Sequence, residues 1–131
     1  KGIKKGSILI HDYEKGLSPL DDEVFDLAWS CEFVEHVYEK YIPNFMPDFQ
    51  RAKFVIMTYA PVGKPGHHHV NCNTKDYWKN VFDEYGFDYD SELTQAIHQA
   101  STMKGMKRNI TVKKANKKAF VKNNGLCFVK R

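Results

Sequence analysis

Short apolar runs, each closed by polar or turn-forming residues, recur through the first half of the chain. Runs of this kind, bounded by Gly, Pro, Asp or Ser, are typical of buried β-strands. They predict strands at residues 7–11, 24–30 and 52–58. The third run, with the sequence AKFVIMT, is apolar at most positions. It is therefore expected to be buried on both faces, as the strands of parallel sheets are.

A second pattern, in which apolar residues recur every three to four positions, is typical of amphipathic helices. It predicts helices at residues 32–41, 74–85 and 91–103. Thr74 is a favourable N-cap for the second helix, and Gly86 follows its last turn. Pro43 lies just beyond the first helix and is expected to end it. Residues 59–73 contain two prolines and two glycines and predict a long functional loop.

The C-terminal part carries shorter signals. Residues 110–112 form a short predicted strand, and residues 119–121 and 126–129 flank Asn123-Asn124-Gly125, a sequence typical of a hairpin turn. Strands that alternate with helices and end in a hairpin predict an α/β domain with a mainly parallel sheet and an antiparallel C-terminal end. The chain has 131 residues and is expected to form one domain, 1–131.

Composition and charge narrow the class of protein only moderately. The chain has 42% apolar and 27% charged residues, which is ordinary for a soluble globular protein. Its net charge of +4 is uneven, because the part after residue 94 has ten basic residues and no acidic one. Such a basic C-terminal region can attract the phosphates of a nucleic acid, or it can form a solvated lysine face.

Cysteine usage and hydropathy indicate a compartment. The three cysteines are odd in number and show no CxxC spacing, which favours buried thiols in a reducing compartment over a disulfide framework. No apolar run approaches the length of a membrane span, and no signal peptide precedes the first apolar run. A cytoplasmic location without membrane attachment is therefore expected.

The residues that carry chemistry lie in two segments. The first places Glu32, Glu35 and His36 at spacings i, i+3 and i+4, which share one face of a helix. The second is the run of three histidines at residues 67–69. Two carboxylates and one imidazole make most of a divalent-metal shell, and a histidine of the run is the next candidate ligand. Both segments follow predicted strands, where ligands of such sheets bind.

Other interpretations of these residues stay open. Glu35 and His36 can line or cap a cofactor pocket that holds no metal. The three histidines can form an exposed polar loop. A zinc ion held by His67, His69 and Cys72 is a further hypothesis, although no second cysteine pair supports a closed structural site.

The passage FDLAWSCEFVEHV at residues 25–37 resembles the class I S-adenosylmethionine-dependent methyltransferases. The resemblance continues through FVIMT at residues 54–58, GHHHVN at residues 66–71, the Tyr77-Trp78 helix and the closing strand pair. Within that superfamily, Glu-x-x-Glu-His followed by a histidine before a Thr-opened helix is similar to two groups. These are the metal-dependent 2′-O-methyltransferases of small-RNA 3′ ends and the O-methyltransferases of ubiquinone synthesis.

The resemblance implies S-adenosylmethionine as cofactor and a divalent ion, Mg²⁺, Mn²⁺, Fe²⁺ or Co²⁺. The implied metal ligands are Glu32, Glu35, His36 and His69. His69 is chosen because it lies five residues before Thr74, as in the RNA enzymes, with His68 as the fallback.

Other roles follow from the same hypothesis. His67 or His68 is the candidate general base. Asp12 and Tyr13 lie where the adenine of the cofactor is usually met, although Asp12 can instead cap a strand end. Glu32 is a further candidate for binding the cofactor.

The sequence also departs from the family. It contains no Gly-x-Gly, the turn that cradles the methionyl part of the cofactor, and its first predicted strand resembles the third strand of the family. The expected fold is therefore an incomplete Rossmann-like methyltransferase fold that lacks the first two βα units, the C-terminal portion of such a domain. In the family's sheet order, 3-2-1-4-5-7-6, this loss would expose an apolar sheet edge, which predicts self-association.

Two functions are predicted from these observations. The first is methyl transfer to an oxygen of a small molecule or an RNA hydroxyl, by a fragment expected to be inactive as an isolated chain. The second is a non-catalytic relic or binding module that uses the basic C-terminal region to bind nucleic acid or a protein partner.

Overall fold

The computed structural model describes residues 8–20, 23–102 and 119–131. Its strands are β1 (Phe25–Ser30), β2 (Ala52–Thr58), β3 (Phe87–Tyr89) and β4 (Gly125–Lys130). Its helices are α1 (Ile42–Phe49), α2 (Lys75–Glu84), α3 (Ser91–Ala100) and α4 (Phe120–Asn124). Three single 3₁₀ turns lie at Tyr13–Lys15, Val34–His36 and Glu39–Tyr41. The strand predicted at 110–112, most of the basic C-terminal region and the predicted end of the third helix lie outside the described residues.

The four strands form one mixed sheet in the order β1-β2-β4-β3. β1 and β2 are parallel, and β4 runs antiparallel to both β2 and β3. Three strands therefore share one direction and β4 opposes them. This confirms the mixed α/β class with an antiparallel C-terminal end, and the strands predicted near 24–30 and 52–58 are both present.

The predicted C-terminal hairpin is wrong. Residues 119–121 do not form a strand, because the chain turns into α4, where the Asn123 amide donates to the Ala119 carbonyl at 2.9 Å. The chain then enters β4 at Gly125. The backbone of Gly125 has an extended conformation that any residue can adopt, but other atoms lie close to the position of its missing Cβ. A Cβ at Gly125 would lie against the Val121 carbonyl oxygen. The glycine thus permits a close helix-to-strand junction instead of a two-residue turn.

The helix predicted at 32–41 is also wrong. Two 3₁₀ turns replace it, and α1 begins where the predicted helix was to end. Pro43 lies in the first turn of α1, a position where proline is favourable since its missing amide has no intrahelical partner there. Glu32 has a φ of 55°, a left-handed conformation that does not continue into a regular helix.

The strand predicted at 7–11 is absent from residues 8–11, and the apolar side chains of residues 8–10 are exposed. The chain instead passes through the first 3₁₀ turn and attaches to α1. The Tyr13 hydroxyl and the Ser18 hydroxyl each donate to the Asp48 carboxylate at 2.6 Å. Asn44 Nδ2 donates to the Tyr13 carbonyl at 2.6 Å. An apolar run predicted a strand here, but none of the four described strands pairs with it.

The core lies between the sheet and the pair α1 and α2. Phe82 of α2 stacks on Phe128 of β4, with ring centroids 3.9 Å apart and planes 10° apart. α3 covers the opposite face of β4, where the Thr94 hydroxyl accepts a hydrogen bond from the Cys127 amide at 2.9 Å. The fully buried side chains of the core include Val34, Phe45, Met46, Val55, Met57, Trp78, Phe82, Phe87 and Phe128.

Candidate metal centre

The Glu-x-x-Glu-His motif lies where β1 ends. The Glu32 amide donates to the Thr58 hydroxyl at 2.8 Å, which ties the first residue of the motif to the end of β2. The left-handed conformation of Glu32 then turns the chain so that residues 34–36 form a 3₁₀ turn beneath the strand ends. The two parallel strands therefore fix the position of the motif, as expected for a site at the carboxyl edge of such strands.

The carboxylate of Glu35 is the least expected feature of this edge. Its side chain is 0% exposed, and among the described residues its carboxylate oxygens meet no N–H donor and no cation, only the carboxyl group of Glu32. An ionised carboxylate buried without a partner costs several kcal/mol, so such groups are normally paired or bound to a cation. The environment of Glu35 therefore fits a bound metal ion.

The main chain of Glu35 also holds the histidine loop. Its carbonyl oxygen accepts hydrogen bonds from the Val70 amide at 2.9 Å and from the Asn71 amide at 3.1 Å. These bonds bring His69 to His36, with ring centroids 5.0 Å apart. One ligand atom from each of Glu35, His36 and His69 lies within 4.8 Å of the other two.

Main-chain carbonyls orient both imidazoles. His36 Nδ1 lies 3.2 Å from the His68 carbonyl oxygen, and His69 Nδ1 lies 3.0 Å from the Lys64 carbonyl oxygen. Because a carbonyl oxygen only accepts, each Nδ1 carries a proton in these hydrogen bonds, which leaves Nε2 as the ring nitrogen that can bind a metal ion. Histidine ligands of metals are usually oriented in this way, by a hydrogen bond from the other ring nitrogen.

Glu32 adjoins this three-residue group without belonging to it. Burial, the neighbouring charge of Glu35 and a side-chain hydrogen bond with Glu35 together raise the pKa of Glu32 to about 7, and the charges of His69 and Lys64 oppose the rise. Two neighbouring carboxylates that repel each other are stabilised by a shared cation. The structure thus brings three of the four predicted ligands together and places Glu32 beside them.

The histidine loop is shaped around the His69 imidazole. A turn at its start joins the Lys64 amide to the Pro61 carbonyl at 3.0 Å. A Cβ added at Gly66 would overlap the His69 ring, so the absence of a side chain at Gly66 makes room for the imidazole. These positioning residues were not predicted. The only signal in the sequence was the pair of glycines in a proline-containing loop.

The other two histidines lie at the rim. His67 is exposed. His68 has a φ of 52° and packs edge-on against Tyr38, with ring centroids 5.6 Å apart. The main-chain carbonyl of His68, rather than its ring, contacts His36. His68, the alternative ligand to His69, therefore lies outside the group of Glu35, His36 and His69. Their predicted role as general base remains a prediction.

The zinc hypothesis fits the structure less well. Cys72 Sγ lies 3.6 Å from His69 Nδ1, the nitrogen that already donates to a carbonyl oxygen. Among the described residues, the group that can surround a cation is made of Glu35, His36 and His69. Burial raises the pKa of all three cysteine thiols, and none is in a disulfide.

The residues predicted to meet the adenine share a cavity with one residue of the metal centre, His36. A cavity of about 190 Å³ is lined by Asp12, Tyr13, Phe33 and His36 among others. Asp12 caps the first 3₁₀ turn, since its Oδ1 accepts from the Glu14 amide at 3.0 Å. The Tyr13 hydroxyl is occupied by Asp48, and burial together with this hydrogen bond raises its pKa. The ring of Tyr13 rather than its hydroxyl is thus the group available to a ligand.

The fold and the site together define a mixed α/β protein with a candidate divalent-metal centre at the ends of two parallel strands. Comparison of the chain with models of known families, with curated proteins and with solved structures finds no match. None of the helices in residues 8–20, 23–102 and 119–131 has the length and apolar character needed to cross a membrane.

Proposed function

We propose that the chain forms the metal-binding part of an S-adenosylmethionine-dependent methyltransferase that acts on an oxygen. The observation that carries the proposal is the buried carboxylate of Glu35, which has no N–H or cationic partner among the described residues and whose oxygen lies within 4.8 Å of ring nitrogens of His36 and His69. The sheet adds support, because β1-β2-β4-β3 corresponds to the 4-5-7-6 end of the family's strand order.

The donor set favours a transition metal. Two imidazoles and one carboxylate suit Mn²⁺, Fe²⁺ or Co²⁺ better than Mg²⁺ or Ca²⁺, which prefer oxygen ligands. When bound, such an ion lowers the pKa of a coordinated hydroxyl and holds its oxygen in place. We therefore expect tighter binding of Mn²⁺ than of Mg²⁺, with Glu32 able to supply a fourth donor.

The protein's own residues would orient the metal ligands, accept the proton and bind the adenosyl group. The Lys64 and His68 carbonyls hold the two imidazoles in the ligating tautomer. His67 and His68 lie at the exposed rim, where either would accept the proton of a substrate hydroxyl as the methyl carbon left the sulfur of the cofactor and bonded to the hydroxyl oxygen. The cavity beside Tyr13 is the proposed place for the adenosyl part of the cofactor, next to His36.

Calorimetric titration with Mn²⁺ tests the metal centre. We expect about one equivalent to bind, with binding lost in Glu35→Gln and His69→Gln. His67→Gln is the matched control, because it changes an exposed histidine of the same loop and should leave affinity unchanged. If the parent chain binds no Mn²⁺, or if His67→Gln weakens binding as much as His69→Gln, the proposed ligand set is wrong.

A second titration tests the cofactor. Because the sequence lacks the Gly-x-Gly turn that would cradle the methionyl part of the cofactor, adenosine, the part proposed to lie beside Tyr13, is the ligand to titrate into this chain. Adenosine should bind the Mn²⁺-loaded chain and bind more weakly to Tyr13→Ala. Metal binding without any adenosine binding would leave a metal centre and refute the methyltransferase part of the proposal.

A further inference from the structure

The side chain of Asn71, at the end of the histidine loop, is buried with only part of its hydrogen-bonding capacity used. Asn71 is 4% exposed, and its Oδ1 accepts a hydrogen bond from Asn73 Nδ2 at 2.6 Å. Its Nδ2 is also buried but meets no acceptor among the described residues. A buried donor without an acceptor costs free energy, so such groups usually have a partner in the working protein.

The hydrogen bond with Asn73 orients this amide. Asn73 is itself held by its main chain, whose amide donates to the Ala60 carbonyl at 3.2 Å, just after β2. Because Asn73 Nδ2 donates, the oxygen of the Asn71 amide faces it, and the NH₂ group of Asn71 is directed to other atoms. The free donor is therefore held in place by the loop.

The carboxyl group of Glu35 has the complementary deficiency, since it is buried and meets no N–H donor among the described residues. The two residues are joined through their main chains, because the Asn71 amide donates to the Glu35 carbonyl at 3.1 Å. Two other buried donors lack a hydrogen-bond partner there, Trp78 Nε1 and Arg51 Nε. Of the three residues, only Asn71 is hydrogen-bonded to Glu35 in the part of the chain that the structure describes. Asn71 is thus the donor best placed to reach the carboxylate.

We propose that Asn71 is a positioning residue of the metal centre, whose Nδ2 donates to the Glu35 carboxylate when the metal ion is bound. One carboxylate oxygen would bind the ion, and the other would accept the hydrogen bond from Asn71. Carboxylates that bind metal ions are usually held by such a hydrogen bond, which fixes their orientation. The inference rests on the metal centre of the proposed function and adds to it a residue outside the ligand set.

Charge explains why an amide suits this position. The Glu35 carboxyl group lies against that of Glu32, and a cation bound by His36 and His69 would draw one Glu35 oxygen towards them in its ionised form. The second oxygen would then be a buried acceptor that needs a donor. The amide of Asn71 supplies an N–H without a charge, so it would satisfy this oxygen without competing with the cation for the carboxylate.

NMR spectroscopy of the ¹⁵N-labelled chain during titration with Zn²⁺ tests the contact itself, since Zn²⁺ is diamagnetic and takes imidazole and carboxylate ligands. The side-chain NH₂ signals of Asn71, identified by their loss in Asn71→Leu, should move downfield in step with metal binding. The NH₂ signals of Asn73 are the internal control and should move little, because that group already donates. Unmoved Asn71 signals in the metal-loaded chain, or movement of the Trp78 indole signal in their place, would overturn the proposal.

Calorimetry with Mn²⁺ measures the consequence for affinity. Asn71→Leu, which has nearly the same shape, should bind Mn²⁺ about 10–100-fold more weakly than the parent chain. Asn73→Leu is the matched control, because it removes the partner of Asn71 Oδ1 but keeps Nδ2, and it should lose much less affinity. Equal losses in the two variants would assign Asn71 to the structure of the loop and overturn its role towards Glu35.

These measurements separate the role of Asn71 from the proposed function. Unchanged Mn²⁺ affinity in Asn71→Leu, beside a parent chain that binds the ion, would overturn the inference and leave the metal centre standing. A parent chain that binds neither Mn²⁺ nor Zn²⁺ would overturn both. Circular dichroism shows whether each variant folds, and if Asn71→Leu does not, the Zn²⁺ titration of the parent chain decides.

Discussion

The core under α1 and α2 and the metal centre at the ends of β1 and β2 are built by different interactions. The core is a set of aromatic and aliphatic side chains with no exposed surface, such as Phe82 and Phe128. The metal centre has one fully buried carboxyl group, two residues in left-handed conformation and imidazoles held by main-chain carbonyls. Packing in the core lowers the free energy of the folded state, whereas the metal-free centre raises it.

This difference indicates a division of labour. Strained conformations and unpartnered polar groups persist only where the surrounding structure imposes them, and they concentrate at functional sites. Here the stacked aromatic side chains stabilise the sheet. The sheet in turn holds Glu32 in a left-handed conformation and Glu35 in a fully buried position, both of which are unfavourable. Changes in the core should therefore alter stability, and changes in the centre should alter metal affinity with small or opposite effects on stability.

The largest expected effect is on the core. Phe82→Ala removes a fully buried ring that stacks on Phe128 at 3.9 Å and should lower the free energy of unfolding by about 3–5 kcal/mol. Urea unfolding followed by circular dichroism measures this. Leu93→Ala is the control, because Leu93 is 40% exposed and should cost far less. Equal losses in the two variants would contradict the position of the core.

Glu35→Met should have the opposite sign in the absence of metal. It replaces a buried carboxylate, which has no N–H or cationic partner and lies against a second carboxyl group, with an apolar side chain of similar length, so the chain should become more stable by about 1–3 kcal/mol. Thermal unfolding with a chelator measures this difference. A less stable Met variant under chelator would show that the carboxylate has a stabilising partner.

Adding Mn²⁺ should reverse that order. At a free concentration of about one hundred times the dissociation constant, the parent chain gains roughly 2.7 kcal/mol of stability from binding. Glu35→Met should gain none, since it lacks the central ligand. A rise in the melting temperature of both proteins on addition of Mn²⁺ would contradict the site.

Gly66→Ala should separate affinity from stability. The new Cβ overlaps the His69 ring, so the imidazole must move away from its carbonyl partner, and Mn²⁺ affinity should fall about 10–100-fold. Stability should change by less than about 1 kcal/mol, because alanine also reduces the freedom of the unfolded chain. Gly63→Ala tests the effect of strain in the loop backbone without a clash. No atom lies within 4 Å of the missing Cβ of Gly63, but its φ of 74° disfavours alanine. Unchanged affinity in Gly66→Ala would refute the fit of loop and ring.

The sequence predicted the parts of the fold that depend on local pattern. β2 and α2 lie where the apolar run and the Thr74 cap placed them, because burial and capping act within a few residues. The errors have tertiary causes. Residues 8–10 are apolar but pair with no strand of the described residues, and residues 120–121 belong to a helix while β4 pairs with β2 and β3.

The sequence predicted which residues belong to the candidate site, but it did not predict the contacts that bring them together. Spacing on a helix suggested that Glu32, Glu35 and His36 share a face, yet a 3₁₀ turn and a left-handed Glu32 hold them instead. The main-chain bonds from Val70 and Asn71 to Glu35, which bring His69 to the site, join segments more than thirty residues apart. No local pattern encodes such contacts.

The smallest effect distinguishes His69 from His68 as ligand. His68→Gly removes an exposed ring and relieves a left-handed conformation that costs a non-glycine residue about 1–2 kcal/mol, partly offset by the greater freedom of glycine in the unfolded chain. The net gain should be about 0.5–1 kcal/mol in chemical unfolding. Mn²⁺ affinity should not change, because His36 is oriented by the carbonyl of residue 68 and that carbonyl remains. His68→Ala, which keeps the strain, should not be stabilised. If His68→Gly binds Mn²⁺ as weakly as His69→Gln, the ring of His68 is a ligand and the loop must rearrange on binding.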